Sequence, residues 1–83
     1  MTSVKWSADS LGDLEKIDFV IAQRIVEKVK WFGENFAEIV PEKLHGDLKG
    51  LYKLRVGDYR VLYSLRENVI IVEAINHRRD VYK

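Results

Sequence analysis

Tyr52-Lys53-Leu54-Arg55-Val56-Gly57-Asp58-Tyr59-Arg60-Val61-Leu62-Tyr63 decides the fold. Two alternating runs flank Gly57-Asp58, a pair suited to a two-residue hairpin loop. Such a loop fixes the register, with Val56 opposite Tyr59, Arg55 opposite Arg60, Leu54 opposite Val61 and Lys53 opposite Leu62. Side chains alternate across a strand, so Leu54, Val56, Val61 and Tyr63 share one face, which suits a core. Lys53, Arg55 and Arg60 share the other. Three cations converge there.

Downstream, Glu67-Asn68 forms a second tight turn before Val69-Ile70-Ile71-Val72-Glu73-Ala74-Ile75. The hairpin thus extends into a three-stranded antiparallel meander, with Glu73 in the row of Lys53 and Leu62. Upstream the period changes to that of a helix. Ile21, Ile25, Val29, Phe32 and Phe36 recur at steps of three and four, widened by Ala22 and Val26. Asp18 stands as the N-cap, and the pattern fades before Pro41. The aromatic positions of this helix, Trp31 and Phe32, read as core. A shorter helix over about residues 8–16 follows from Ser7 as N-cap, Asp9 in the first turn, and Leu11, Leu14 and Ile17. Gly12 inside it costs about 1 kcal/mol relative to alanine. Ser3–Trp6 alternates as a short first strand. The order β-α-α-β-β-β gives an α+β fold, a helical hairpin packed on one face of an antiparallel sheet.

Eighty-three residues leave room for one core, so residues 1–83 are read as a single domain. The composition, 47% hydrophobic and 33% charged, is that of a soluble globular protein. No apolar run approaches the ~20 residues of a membrane span, and MTSVKW lacks the pattern of a signal peptide. Absence of cysteine excludes disulfides and thiolate metal sites and fits a reducing cytoplasm. The two histidines, His45 and His77, lack ligand spacing for zinc, and His45 reads as a loop residue. No cofactor is expected. Net charge is +1, but residues 1–41 carry five Lys/Arg against seven Asp/Glu, and residues 42–83 carry nine against six. The second half therefore suits an anionic partner.

Charges on an exposed strand are most often a solvated surface. The Arg55–Arg60 pair is different, because like charges directly opposite each other cost a few tenths to ~1 kcal/mol. A phosphate would turn that repulsion into attraction, and guanidinium is shaped for bidentate phosphate contact. Glu73, in the row of Lys53, is read as partly neutralising the cluster or, more plainly, as a structural partner for Lys53. The terminal stretch His77-Arg78-Arg79-Asp80-Val81-Tyr82-Lys83 is either a plain basic tail or an extension of the cationic face. In the second case His77, Arg78 and Arg79 bind phosphates and Tyr82 stacks on an unpaired base.

The run Leu44-His45-Gly46-Asp47-Leu48-Lys49-Gly50-Leu51, continuing into the hairpin through Tyr63, resembles the RelE branch of the RelE/ParE toxin superfamily, as does His77-Arg78-Arg79-Asp80-Val81-Tyr82. The resemblance covers essentially the whole chain. It implies the toxin of a type II toxin–antitoxin system, a metal-independent endonuclease that cuts mRNA in the ribosomal A site by attack of the ribose 2′-OH on the adjacent phosphate. It implies an acidic, RelB-like antitoxin that covers the basic face, and contact with operator DNA through the antitoxin complex. Family catalytic roles fall on Lys53, Arg55, Arg60, Arg78 and Tyr82. One departure stands out: Leu51 occupies the place of the first of two family lysines, so Lys53 acts alone. Crowding by Arg55 and Arg60 is expected to lower the pKa of Lys53, fitting it to accept the 2′-OH proton. The arginines then stabilise the phosphorane, and Arg78 or His77 assists the leaving oxygen. Two other readings stay open: a ParE-like inhibitor of DNA gyrase, and a non-catalytic module that only binds its antitoxin.

Overall fold

The computed structural model describes residues 2–44 and 50–79. In chain order these form β1 (Ser3–Trp6), α1 (Ala8–Glu15), α2 (Phe19–Glu34), a single 3-10 turn (Phe36–Glu38), β2 (Glu42–Lys43), β3 (Tyr52–Val56), β4 (Tyr59–Arg66) and β5 (Val69–His77). The strands make one sheet in the order β1-β5-β4-β3-β2. The meander is present as expected, and two further strands extend it. β1 pairs parallel to β5, and β2 pairs antiparallel to β3. The sheet is therefore mixed rather than wholly antiparallel.

Both helices begin where their caps dictate. The Ser7 hydroxyl accepts the Ser10 N–H, and the Asp18 carboxylate accepts the Val20 N–H. Leu14, Ile17, Ile25 and Val29 pack with Val61, Val72 and Ile75, so both helices cover the same sheet face. Beside this cluster, Phe32 meets Tyr63 edge-on with ring centroids 5.3 Å apart. The α2 stripe is narrower than its sequence. Ile25, Val29 and Phe32 are buried, whereas Ile21 and Val26 lie at the margins and remain exposed. Trp31 is exposed too, on the outer flank, with Lys28 Nζ 4.2 Å from the ring centroid. Expecting Trp31 in the core is corrected. Phe32 is in it.

Gly33 lies where α2 passes close to β1. A Cβ placed there would lie 2.8 Å from Val4 Cγ2 and 3.1 Å from the Thr2 carbonyl oxygen. Gly33→Ala should therefore lower stability by about 1–2 kcal/mol, strain outweighing the better helix propensity of alanine. In thermal melts this appears as a midpoint lower by roughly 4–15 °C.

Both hairpin turns have the expected length. At the first, Gly57 has φ +58° and Asp58 does not enter positive φ, the pattern of a type II′ turn. At the second, Glu67 and Asn68 have φ of 49° and 55°, both left-handed, as in type I′. The register of β3 on β4 is the one the Gly57-Asp58 loop imposes, including Arg55 opposite Arg60. Register shifts only on β5: Leu62 faces Ala74 while Tyr63 faces Val72, leaving Glu73 as the extra residue of a bulge.

The bulge disturbs backbone pairing just where β1 has ended, and α1 repairs it. The Ser7 N–H donates to the Val72 carbonyl at 2.9 Å. The Ser7 hydroxyl donates to the Glu73 carbonyl at 3.0 Å. Asp13 Oδ2 accepts the Ile75 N–H at 2.8 Å. Replacing Asp13 by alanine should strand that partly buried N–H at a cost of about 1–3 kcal/mol. Urea titration would report a lower midpoint with an unchanged slope.

Candidate nucleic-acid interface

The face opposite the helices carries the cations predicted for it. Arg55 and Arg60 stand opposite each other on β3 and β4, and Lys53 faces Leu62 in the next row but one. Arg60 is buried to 6% exposure whereas Arg55 is exposed. At the end of the sheet near the Gly57-Asp58 turn, a cleft of about 410 Å³ is lined by Arg55, Arg60, Arg78 and Arg79, with Asp58 and Tyr59. Among the described residues, four guanidinium-bearing side chains thus border one hollow with a single acid, Asp58.

The Gly57-Asp58 turn brings the last two arginines there. The Arg78 N–H donates to the Asp58 carbonyl at 2.8 Å, which ties the end of β5 to the β3–β4 turn. Arg78 Nε also lies 3.9 Å from Asp58 Oδ1, but both side chains are about two-thirds exposed. An exposed pair at that distance contributes little, so the backbone bond does the anchoring. Asp58 was legible as a turn residue, not as an anchor.

Lys53 departs from expectation in its partner. Its Nζ lies 3.3 Å from Glu42 Oε2, opposite it across the β2–β3 pair. The lysine is not crowded by guanidinium groups alone. Glu73, the partner expected from an unbroken row, instead accepts the Ser64 hydroxyl at 2.7 Å, because the bulge puts Ala74 opposite Leu62. Glu42 is the functional neighbour that sequence reasoning missed. It sits on a two-residue strand with no alternation to reveal it.

His77 is also placed differently. It pairs with Tyr59, and directly opposed residues share a face, so its ring lies on the helical side. The rings meet edge-on at 5.1 Å, and Nδ1 accepts the Arg79 N–H at 3.2 Å. The expectation that His77 extends the cationic face is corrected: its ring lies beside Tyr59 instead. Tyr82 and His45 lie outside the described residues. Among the described residues no three His, Asp or Glu side chains gather as a metal site would need.

Tyr63 is a titratable group that the site does not use. It is buried against Phe32 and Phe36, stacks on Tyr52, and among the described residues its hydroxyl has no hydrogen-bond partner. Burial lifts its pKa from 10.0 to about 12, with smaller contributions from Tyr52 and Glu42. The folded state keeps the proton longer than the unfolded chain does. Stability from this difference is complete below pH 10 and is lost as pH rises toward 12. Tyr63→Phe should match or exceed the parent by up to about 1 kcal/mol at neutral pH. Between pH 10 and 12 the parent should lose stability relative to the variant, read by urea midpoints at both pH values.

A model of the ParE toxin of type II toxin–antitoxin systems, parDE, matches residues 4–82. No curated protein sequence matches the chain. Among solved structures it is similar to the toxin–antitoxin complex RelBE2 from Mycobacterium tuberculosis, with TM-score 0.81 and 24% identity over 93% of this chain and 98% of that one. It is similar to the RelB–RelE complex of Methanococcus jannaschii, TM-score 0.73 and 22% identity over 95% of each chain. It is also similar to the chromosomal ParDE system of P. aeruginosa, TM-score 0.73 and 20% identity over 93% and 96%. At such identities the structural likeness speaks for the shared α+β fold.

Proposed function

Because the chain belongs to the family of ParE toxins of type II toxin–antitoxin systems, we propose that it is the toxin of such a pair and cuts mRNA in the ribosomal A site. The observation that carries this is the cleft bordered by Arg55, Arg60, Arg78 and Arg79, on a sheet that presents Lys53 nearby. A cleft so rich in guanidinium recognises phosphates, and its repelling charges are stabilised when one enters. The ribose 2′-OH attacks the adjacent phosphorus, the P–O5′ bond breaks, and the products are a 2′,3′-cyclic phosphate and a 5′-hydroxyl.

Arg55 and Arg60 stabilise the charge that develops on the phosphorane oxygens. Lys53, held as an ammonium by Glu42, exchanges that carboxylate for the scissile phosphate and neutralises its charge. Once it has given its own proton to solvent, the neutral amine takes up the 2′-OH proton instead. Arg78 assists the departing 5′ oxygen, Arg79 holds a flanking phosphate, and Tyr82 stacks on a base. The reaction takes place in the cytoplasm, and no helix among the described residues is long and apolar enough to cross a membrane.

The partner is a cognate acidic antitoxin. Its match on the toxin is the cationic face together with the apolar flank of α2, where Phe19 is 75% exposed and Val20 and Trp31 are about half exposed. Exposed apolar patches on a small soluble protein mark interaction sites. Through that complex the toxin reaches operator DNA.

A second reading is inhibition of DNA gyrase. It is favoured by the matching family model, by Leu51 in place of a family lysine, and by the engagement of Lys53 with Glu42. Induced expression followed by mapping of mRNA 5′ ends separates the two. New 5′ ends in translated codons support cleavage, and intact mRNA with arrested supercoiling supports gyrase inhibition. On programmed ribosomes, Arg55→Ala should slow cleavage by about 10²–10³-fold while leaving thermal stability unchanged, because its side chain is exposed. Lys53→Met should cost at least tenfold. Retention of near-parental rate by both variants rules out this active face.

A further inference from the structure

A second pair of cations stands on the same sheet face, well away from the arginine cleft. Lys5 of β1 faces Ile71 of β5, and Arg66 of β4 faces Val69. Alternation along β4 puts Arg60, Leu62, Ser64 and Arg66 on one side, and Ser64 faces Ile71. Lys5, Arg66, Val69 and Ile71 therefore lie on the face that carries Arg55 and Lys53. With Glu67 they border a hollow of about 520 Å³. Both cations are exposed, and among the described residues neither is in an ion pair.

A solvated rim accounts for Lys5, since lysine on an outermost strand guards that edge against pairing. It does not account for Arg66, whose strand is interior to the sheet. The spacing is also informative. β4 runs without a bulge from Arg60 to Arg66, six residue steps or about 20 Å. Glu42, on the edge strand β2, pairs with Lys53. Between the two charged ends on β4 and β5 lie Leu62, Ile71 and Ala74, with the acid Glu73 held by Ser64. A carboxylate there suits the exocyclic amino group of a base rather than a phosphate.

We propose that Lys5 and Arg66 form a second phosphate-binding site for a single-stranded RNA that crosses the open sheet face from the arginine cleft. Phosphates are held at the two ends, and a base edge faces Ser64 and Glu73 in the middle. This deepens the RNA reading above and rests on it. A fragment confined to the cleft gains nothing from the second site, whereas a strand that spans the face uses both.

Binding of the isolated toxin to two labelled, uncleavable 2′-O-methyl RNAs tests the proposal, one a dinucleotide and one an unstructured strand of about 10 nucleotides. Lys5→Glu/Arg66→Glu should weaken the longer RNA about tenfold or more and reduce its salt slope by about 1.4, two contacts at ~0.7 each. Dinucleotide binding should not change. Lys28→Glu/Lys30→Glu, the same charge change on α2, should leave both affinities unchanged within a few-fold. Should the reversal lower the melting temperature, Lys5→Gln/Arg66→Gln provides the same comparison with a smaller expected loss. Equal losses for both lengths, or equal losses from the α2 reversal, overturn a second site and indicate a general field effect. An unaltered long-RNA affinity, when Arg55→Ala weakens both lengths, overturns the second site alone. No binding of either RNA by the parent toxin overturns this site, while the cleavage reading stands or falls by the mapping of mRNA 5′ ends.

Discussion

Arg55 and Arg60 repel each other, and the β3–β4 hairpin nevertheless holds them face to face. Everything at the open surface follows from that enforced pairing. The two-residue Gly57-Asp58 turn permits no other register without exchanging the two faces of β3. A slip of one residue would bury Lys53 and Arg55 among Leu14, Ile25 and Val29 and expose Leu54 and Val56. Core burial of those apolar residues, at roughly 25 cal/mol per Å², outweighs the fraction of a kcal/mol that the guanidinium pair costs. The helical layer therefore forces the charges together on the far side. The cationic character of this face is a by-product of which face the core demands.

The same turn also organises the end of β5. Gly57 supplies the left-handed residue, and the Asp58 carbonyl next to it captures the Arg78 N–H. Arg78 and Arg79 are thereby brought to a cleft already bordered by Arg55 and Arg60. Farther along, the bulge at Glu73 restores inward direction to Ile75 after Val72. Ser7 and Asp13 satisfy the backbone groups left over, so α1 serves as a substitute strand at its N-terminal end and as core packing along its apolar side. A polar residue in a short amphipathic helix can therefore matter more than its exposure implies.

Much of this was legible in the residues. Alternation about Gly57-Asp58 gave the hairpin register, and the spacing of Ile25, Val29 and Phe32 gave the buried stripe of α2. Both helix caps stood where Ser7 and Asp18 indicated. What stayed hidden depended on pairing between distant segments. Glu42-Lys43 is too short to show a period, so its carboxylate could not be assigned to Lys53. The apolar positions Ile70, Val72 and Ile75 do break parity, a sign of the bulge that an unbroken row of Lys53, Leu62 and Glu73 ignored. The same unbroken count leaves His77 on the face of Arg60, and the shifted register moves it beside Tyr59 on the helical side.

The parallel pairing of β1 with β5 joins Ser3–Trp6 to Val69–Val72, the first strand of the described fold to the last. Such a contact closes a loop of most of the chain, and contacts of this kind form late because their closure entropy comes first. During synthesis β1 has no partner until β5 has left the ribosome. Its Val4 and Trp6 side chains are then without most of the surface they finally cover. The arginine cleft is likewise assembled only once Arg78 has reached Asp58. An emerging chain therefore lacks the assembled four-arginine cleft until Arg78 and Arg79 have joined the sheet.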